Sequence, residues 1–328
     1  MIRFTVVVVT YANRGHLLLK VLGAVVDAGC NHIIIIDNGS SDDSKLKIQN
    51  FITSNINLRI EVIINHKNEG SAIAFSQGMD IASNDENYNE FVLFLDDDNL
   101  PVKNSIQNAL SLAYAEESKN TVYFLMREDR PHYQEYIKTL DANTLLGERN
   151  SFMGFTLKNY IHRYFKKLVP EKSVERHSCN SHAVPIPCGP YGGMLTRKSI
   201  LKQNIRPMKE MILYFDDTKY TFDLAQAGVK LLLLPNLMIR DIDDSWSAKK
   251  TSKFSSPIFE AADFKMKYTF RNRVYFENNV LVTNKTAYVV NMSAYLAILF
   301  IKALISGNMK KYLKLIGYIR SGFNFGKE

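Results

Sequence analysis

Residues 91–101 read FVLFLDDDNLP, five apolar residues followed by three aspartates, Asn99, Leu100 and Pro101. Phe91 to Leu95 has the composition of a buried strand, and Pro101 prevents that strand from simply continuing. Asp96, Asp97 and Asp98 therefore sit where a core strand reaches the surface. Carboxylates packed this tightly repel one another, and at least one pKa rises unless a cation offsets the repulsion. Oxygens of Asp96 and Asp98 suit a shared hard divalent ion, Mg²⁺ or Mn²⁺, whose other ligands are commonly phosphates and water. A second acidic pair, Asp216-Asp217, follows MILYF and leads into a helix expected at 218–227, closed by Gly228. Taken alone, that pair suits the acidic first turn of a helix.

The elements that position these acids alternate in period. FTVVVVT (4–10), NHIIIID (31–37), LRIEVIIN (58–65) and FVLFLD (91–96) read as strands, and 15–29, 44–54 and 71–82 read as helices between them. Fully apolar strands separated by helices predict an α/β fold with a mainly parallel central sheet and helices on both faces. Ligands bind beyond the carboxyl ends of such strands. Those ends carry Thr10-Tyr11, Asp37-Asn38, the run Asn65 to Gly70, and Asp96 to Asn99, so four polar clusters converge on one edge. Beyond residue 120, TVYFLM (121–126) and VKLLLLP (229–235) read as strands. The segment 184–201 reads as a Pro/Gly-rich loop and then a helix, and 127–180 is polar and aromatic without a clear period.

Charge divides the chain unevenly. Residues 1–262 carry 30 basic and 30 acidic side chains, whereas 263–328 carry 11 basic against 3 acidic, so the whole net charge of +8 lies in the last 66 residues. A basic, aromatic-rich tail fits an anionic partner. The run TAYVVNMSAYLAILFIKALI (286–305) is apolar but interrupted by Asn291, Ser293 and Lys302, and it precedes Lys310, Lys311, Lys314 and Arg320. At 20 residues the run barely spans a bilayer, and the mixture fits an interfacial helix on an anionic membrane surface better than a span or than nucleic acid, which is not expected as a partner. The alternative is a helical cap packed on the rest of the chain. Met1-Ile2-Arg3 runs straight into the first strand, and three cysteines suit a reducing compartment. The expectation is a cytoplasmic protein, peripheral on the inner face of the cell membrane.

The ordered set VVVVTYANR, IIIIDNGSSDDS, NEGSAIAFSQGMDIA, FVLFLDDDNLP, CGPYGGMLTRKSI and YFDDTKYTFDLAQAG resembles the family 2 inverting glycosyltransferases of the GT-A fold, over residues 3–245. The DDT-containing segment and YTFRNRVYF (268–276) look most like the bacterial rhamnosyl- and galactofuranosyl-transferases of that family. The resemblance implies a GT-A catalytic domain at 1–260, with a nucleotide-binding half (1–120) and an acceptor-binding half (121–260), followed by a helical basic region at 261–328. It implies a UDP- or dTDP-linked sugar donor, a divalent cation, and a surface glycan or lipid-linked oligosaccharide as acceptor. Thr10 and Tyr11 match positions lining the nucleoside pocket, and Asp37 the carboxylate on the pyrimidine, although Asp37 could instead cap the following helix. Asn68 and Gly70 match the donor loop, where glycine lets backbone approach a ligand. Asp97 joins the nucleotide-sugar set. Asp96 and Asp98 match the metal motif, Gly192 and Gly193 border the sugar, and Asp217 matches the catalytic base, with Asp216 beside it. Two positions depart from the family pattern. Asp223 stands where an arginine is common six residues after the base. No histidine follows His182, so Asp241 is the nearest stand-in for a third metal ligand.

Other readings fit less well. His177, Cys179, His182 and Cys188 match no standard zinc-finger spacing, and Gly189, Gly192 and Gly193 form no dinucleotide fingerprint. A sugar-1-phosphate nucleotidyltransferase needs a glycine-rich basic loop after the first strand, which TYANRGH does not supply. A non-catalytic nucleotide-sugar-binding relative would not need Asp96, Asp98 and Asp217 all intact.

Overall fold

The computed structural model describes residues 1–84, 89–166, 182–243 and 256–326. They fall into two compact units. The first comprises the described residues of 1–140, 178–212 and 216–246, and the second those of 141–177, 213–215 and 247–328.

In the first unit, nine strands form one mixed sheet among the described residues: β1 (Phe4–Ala12), β2 (Cys30–Ser40), β3 (Arg59–Asn65), β4 (Phe91–Asp96), β5 (Asn99–Pro101), β6 (Thr121–Arg127), β7 (Val184–Pro185), β8 (Met194–Arg197) and β9 (Lys230–Asp241). Their order is β3-β2-β1-β4-β8-β6-β9-β5, with β7 paired to β9 off that path. The helices are α1 (Gly15–Asp27), α2 (Asp42–Ser54), α3 (Ser71–Asn84), α4 (Ser105–Ala115) and α5 (Pro131–Thr139) in this unit. The second unit holds α6 (Asn143–Leu146) and α7 (Leu157–Lys166). The chain then returns to the first for α8 (Lys198–Leu201) and α9 (Asp216–Gln226).

β1 explains why the sheet is covered on both faces. Side chains along a strand alternate in direction, so Val6 and Val8 join Leu18, Val21, Leu22 and Ile106 from α1 and α4 in one core. Val7 and Val9 turn the other way, where Ala74, Phe75 and Met79 of α3 are buried. β1, β2, β3 and β4 pair in parallel, as the uninterrupted Val/Ile runs predict, and so do β6 and β9. β8 is different: it runs antiparallel between β4 and β6, and β5 and β7 add antiparallel pairings to β9. The sheet is therefore mixed.

Three expectations need correction. MLTR, placed in a loop-then-helix segment, is β8, and only one turn of helix follows it; four residues give no period to read. The helix expected at 218–227 starts two residues earlier, with Asp216 and Asp217 as its acidic first turn, and α9 ends at Gln226, two residues before Gly228. The unassigned stretch after 127 contains α5, α6 and α7, whose polar surface hides their period.

The second unit also contains α10 (Pro257–Glu260), α11 (Asp263–Phe276), α12 (Lys285–Ile305) and α13 (Met309–Asn324). Its core joins Phe152 to Phe259, Phe270, Tyr288, Leu299, Ala303, Leu315 and Ile319. Phe152 meets Tyr288 and Tyr295 edge-on at centroid separations of 5.7 and 5.4 Å, a favoured aromatic geometry. Glu277 is fully buried and accepts from Arg273 Nε (2.6 Å), Tyr288 OH (3.0 Å) and Met153 N (3.0 Å), so its charge is paired and hydrogen-bonded. The expected C-terminal helical region is present.

Candidate active site

Register brings the predicted residues to one end of the parallel strands. Thr10 pairs with Asp37 across β1 and β2, Val9 with Asp96 across β1 and β4, and Asn99 with Asp241 across β5 and β9. The edge expected to hold the polar clusters does hold them.

Asp37 is buried, and its Oδ1 accepts from the backbone N–H of Ser40 at 2.7 Å within the last residues of β2. The cap of α2 is Ser41 instead, which accepts from Ser44 N at 3.3 Å. Asn38 organises the neighbouring loop. Its Oδ1 accepts from Glu69 N (3.0 Å) and Asn65 Nδ2 (3.1 Å), and its Nδ2 donates to Asn68 Oδ1 (3.1 Å) and Gly70 O (3.3 Å). Asn68 in turn accepts from Gly70 N at 2.9 Å. Gly70 is required for a reason the sequence did not give: it has a φ of +90°, and a Cβ there would run into the carbonyl of Ile212. That carbonyl accepts from Ala72 N at 3.2 Å, so the donor loop is clamped to the segment that leads to α9.

The three aspartates after β4 have distinct surroundings. Asp97 is buried and accepts from Thr10 Oγ1 (2.7 Å) and Arg14 Nε (2.8 Å). Arg14 also donates from Nη2 to Asp98 Oδ2 (2.7 Å) and from Nη1 to Asp243, while its guanidinium lies over the Tyr11 ring, 5.1 Å from the centroid. The offsetting cation called for by the DDD run is thus partly supplied by the chain itself. Asp98 further accepts from Asn99 Nδ2 at 3.0 Å. Asp96 lacks such a partner: among the described residues no hydrogen bond to its carboxylate is formed, and burial, then the charge of Asp98, pushes its pKa up to about 7. Burial likewise raises Asp97 to about 6 and raises Asp98, with Arg14 opposing both.

Gly192 and Gly193, just before β8, close the floor beside Asp96. A Cβ on Gly192 would overlap Asn99 Oδ1 and come within 2.9 Å of Asp96 Oδ2, so only glycine leaves that carboxylate clear. Gly193 has a φ of +90° and donates to Phe94 O at 2.8 Å, entering the sheet beside β4.

Asp216 and Asp217 open α9, where the helix dipole favours negative charge. Asp216 is buried and accepts from Ser71 Oγ at 2.8 Å; burial, then the charge of Asp217, pushes its pKa up to about 8. The charge of Asp96 contributes in the same direction, so the two acidic groups lie within each other's field. Asp217 is partly exposed and its Oδ1 accepts from Thr218 N at 2.6 Å. Burial raises it too, opposed by Thr218 and by Arg127.

Asp241, expected as a third metal ligand, is spoken for. Arg127 donates to it, Arg130 Nη2 donates at 2.6 Å, and Asn99 Nδ2 donates to Oδ1 at 2.9 Å. Burial works against its ionisation, but the two arginines hold its pKa below the ordinary carboxylate value. Among the described residues no three His, Cys, Asp or Glu side chains group to hold a metal. Asp96 and Asp98 still fit a hard divalent ion whose shell is completed by phosphate and water: both are oxygen donors, and Asp96 is half-buried without a counter-charge in hydrogen-bond contact among the described residues. Asp223, in the common arginine position, pairs with Lys219 one turn back on α9. Of the histidine and cysteine group, His177 and Cys179 lie outside the described residues. Cys188 is buried, and His182 lines a cleft with Asn108 and Asn236.

Arg14, Asn38 and Arg127 were not assigned from sequence. Arg14 lay inside the TYANR motif, and only its reach to acids some 80 and 230 positions away reveals its part.

The family model for glycosyl transferase family 2 matches residues 5–169. That span contains the DDD run, while Asp216, Asp217 and Asp241 lie beyond it. Comparison with curated protein sequences finds no match. Among solved structures, the chain is similar in fold to the mannosyltransferase PcManGT from Pyrobaculum calidifontis in complex with GDP-Man and Mn²⁺. The TM-score is 0.53 at 11% identity, over 98% of this chain and 75% of that one. It is also similar to GalNAc-T7 with UDP, GalNAc and Mn²⁺, with a TM-score of 0.51 at 14% identity, over 84% of this chain and half of that one. The fold is therefore GT-A-like. With a family match over half its length and the acidic site at the expected strand ends, the chain belongs to glycosyltransferase family 2.

Proposed function

We propose that the protein is an inverting, metal-dependent glycosyltransferase that moves a sugar from a UDP- or dTDP-linked donor to a hydroxyl of a growing surface glycan or lipid-linked oligosaccharide. The observation that carries this reading is the juxtaposition of two acidic groups of different character. Asp96 ends β4 beside Val9 of β1, and the Ser71 hydroxyl, 2.8 Å from Asp216, ties the Asp216-Asp217 pair at the start of α9 to the loop that follows β3.

Thr10, Tyr11, Asp37 and the loop from Asn68 to Gly70 hold the nucleotide, and Asp97 fixes Thr10 and Arg14 beneath it. Asp96 and Asp98 are the residues that would hold Mg²⁺ or Mn²⁺, which when bound supplies positive charge for the departing diphosphate. Asp217 is the base. It is the more exposed of the pair, whereas Asp216 is turned onto Ser71. The acceptor oxygen forms the new bond to the anomeric carbon from the face opposite the diphosphate. The old C–O bond breaks with its electron pair going to the diphosphate, and Asp217 takes the hydroxyl proton. One displacement inverts the anomeric configuration.

A thermal-shift screen of nucleotide sugars with and without Mn²⁺ or Mg²⁺ tests the donor class, since a ligand that binds only the folded state raises its stability by mass action. A metal-dependent shift with UDP- or dTDP-sugars is expected. Anomeric configuration of the product, read by NMR, tests inversion; retention overturns the single displacement. The basic C-terminal helices support placement at the cytoplasmic face of a membrane, where a lipid-linked acceptor would lie.

A further inference from the structure

The second unit carries an apolar surface that its own core does not use. Val289, Val290, Phe300, Ile301, Leu304 and Ile305 of α12 are each 40–67% exposed. Exposed Ser293 and Ala297 continue the series between them. Spacings of three and four residues, with adjacent pairs widening it, place all eight on one stripe that runs through more than four turns of the helix. The opposite side of α12 is committed to protein: Tyr288, Leu299 and Ala303 are buried in the core, and Asn291 Oδ1 accepts from Leu157 N at 2.8 Å.

α12 is long and apolar enough to cross a bilayer by length and composition. A crossing helix would meet lipid all round, whereas one side of this helix is occupied by its own unit. From Lys285 to Asn324 the chain carries six basic residues and no acidic one. Lys314 pairs with Asp263 and Lys311 donates to the Phe259 carbonyl. Lys285, Lys302, Lys310 and Arg320 make no ion pair among the described residues. Two copies would both be net positive over this region, which disfavours a homodimer; an anionic leaflet complements that net charge and accepts the apolar stripe.

We propose that the exposed stripe of α12 beds into the interfacial layer of an anionic leaflet with the helix axis in the membrane plane, so that the enzyme is monotopic. The proposal deepens the membrane placement offered above and rests on it.

Vesicle co-sedimentation of the full chain tests it, using phosphatidylglycerol-containing and pure phosphatidylcholine vesicles. The proteins are wild type, Ile301→Asp/Leu304→Asp and the milder Ile301→Ser/Leu304→Ser, all substitutions at exposed positions. Wild type is expected to sediment with anionic vesicles and to be released by high salt. The aspartate variant should lose at least about tenfold in partitioning, and the serine variant a smaller amount, with nucleotide-dependent thermal shifts unchanged. If wild type binds anionic vesicles and the variants bind equally well, the stripe is not the contact, although membrane placement survives. If wild type ignores vesicles, both fall. Retention of wild type through high salt and alkaline carbonate overturns the in-plane arrangement in favour of a spanning helix. A wild-type dimer in solution that the aspartate variant converts to monomer, without vesicle binding, overturns it in favour of a second copy.

Discussion

The hydroxyl of Ser71 donates to Oδ2 of Asp216 across 2.8 Å, joining the first residue of α3 to the first residue of α9. The loop proposed to hold the donor and the helix proposed to hold the base are thus fixed to each other through one buried carboxylate. The neighbouring carboxylate, Asp217, is left to meet substrate. That division of labour gives the first prediction. Asp217→Asn should lower turnover by about 10²–10⁴-fold with donor affinity nearly unchanged, the usual contribution of a positioned base. Asp216→Asn keeps an oxygen for Ser71 and should cost less. Initial rates beside titration calorimetry separate chemistry from binding. A wild-type rate in Asp217→Asn would move the base elsewhere.

The buried carboxylate should also leave a mark on stability. Burial and the charge of Asp217 hold Asp216 at about 8, against an ordinary value of 3.8, so the folded protein keeps its proton more tightly than the unfolded chain does. The contribution of this group is then complete below about pH 4 and is lost as pH rises through about 8. In chelator, Asp216→Asn should gain on wild type in Tm between about pH 5 and pH 9. Calorimetry that finds parallel profiles would contradict the raised pKa.

The DDD run predicts a separable metal effect. Asp98→Asn removes charge and ligand strength beside Asp96 and should abolish transfer and the metal-dependent part of nucleotide binding. Full turnover of this variant in chelator would remove Asp98 from the metal-holding set.

Arg14 is the internal counter-charge for Asp97, Asp98 and Asp243. Breaking a buried charge cluster by removing one partner costs about 3 kcal/mol or more. Arg14→Met should therefore lower the melting temperature by several degrees in chelator, and Mn²⁺ should recover part of that loss by meeting the same carboxylates. Equal losses with and without Mn²⁺ would show that the cation and Arg14 do not share a partner.

Gly70→Ala places a Cβ against the Ile212 carbonyl at a positive φ. A cost of roughly 1–3 kcal/mol from backbone strain is expected, accompanied by weaker donor binding because the loop must shift. Chemical denaturation and nucleotide titration on the same variant check both. A variant as stable as wild type would show the clamp to be soft.

What could be read from residues alone follows the locality of the signal. β1, β2 and β4 announce themselves because a strand buried on both faces needs an unbroken apolar run, whereas the edge strand β3, RIEVIIN, is only half-buried; the polar ends of these strands then fix where the site must lie. β8 is four residues long and takes its identity from pairing with β4 and β6, which no local pattern encodes. The same holds within the site. Asp96, Asp98 and Asp217 are conspicuous as clustered acids, while Arg14, Asn38 and Arg127 acquire their parts only through partners brought near by the fold. Asp241 illustrates the converse: its position along the chain suggested a ligand, and the two arginines beside it have its oxygens instead.

The placement of β8 bears on how the chain reaches this state. β4 and β6 both await a strand that begins at Met194, after α5, α6 and α7 have been made. During synthesis the inner edge of β4, Phe91 to Phe94, lacks its β8 partner until that later segment emerges, and an apolar unpaired edge is an invitation to intermolecular pairing. A fragment ending near residue 166 would contain the first four strands and the DDD run, but not Asp216, Asp217 or Asp241, and would expose that edge permanently. Truncation to the N-terminal half should accordingly give aggregating material rather than a minimal nucleotide-binding domain, and demand on chaperones should be greatest before Arg197 clears the ribosome.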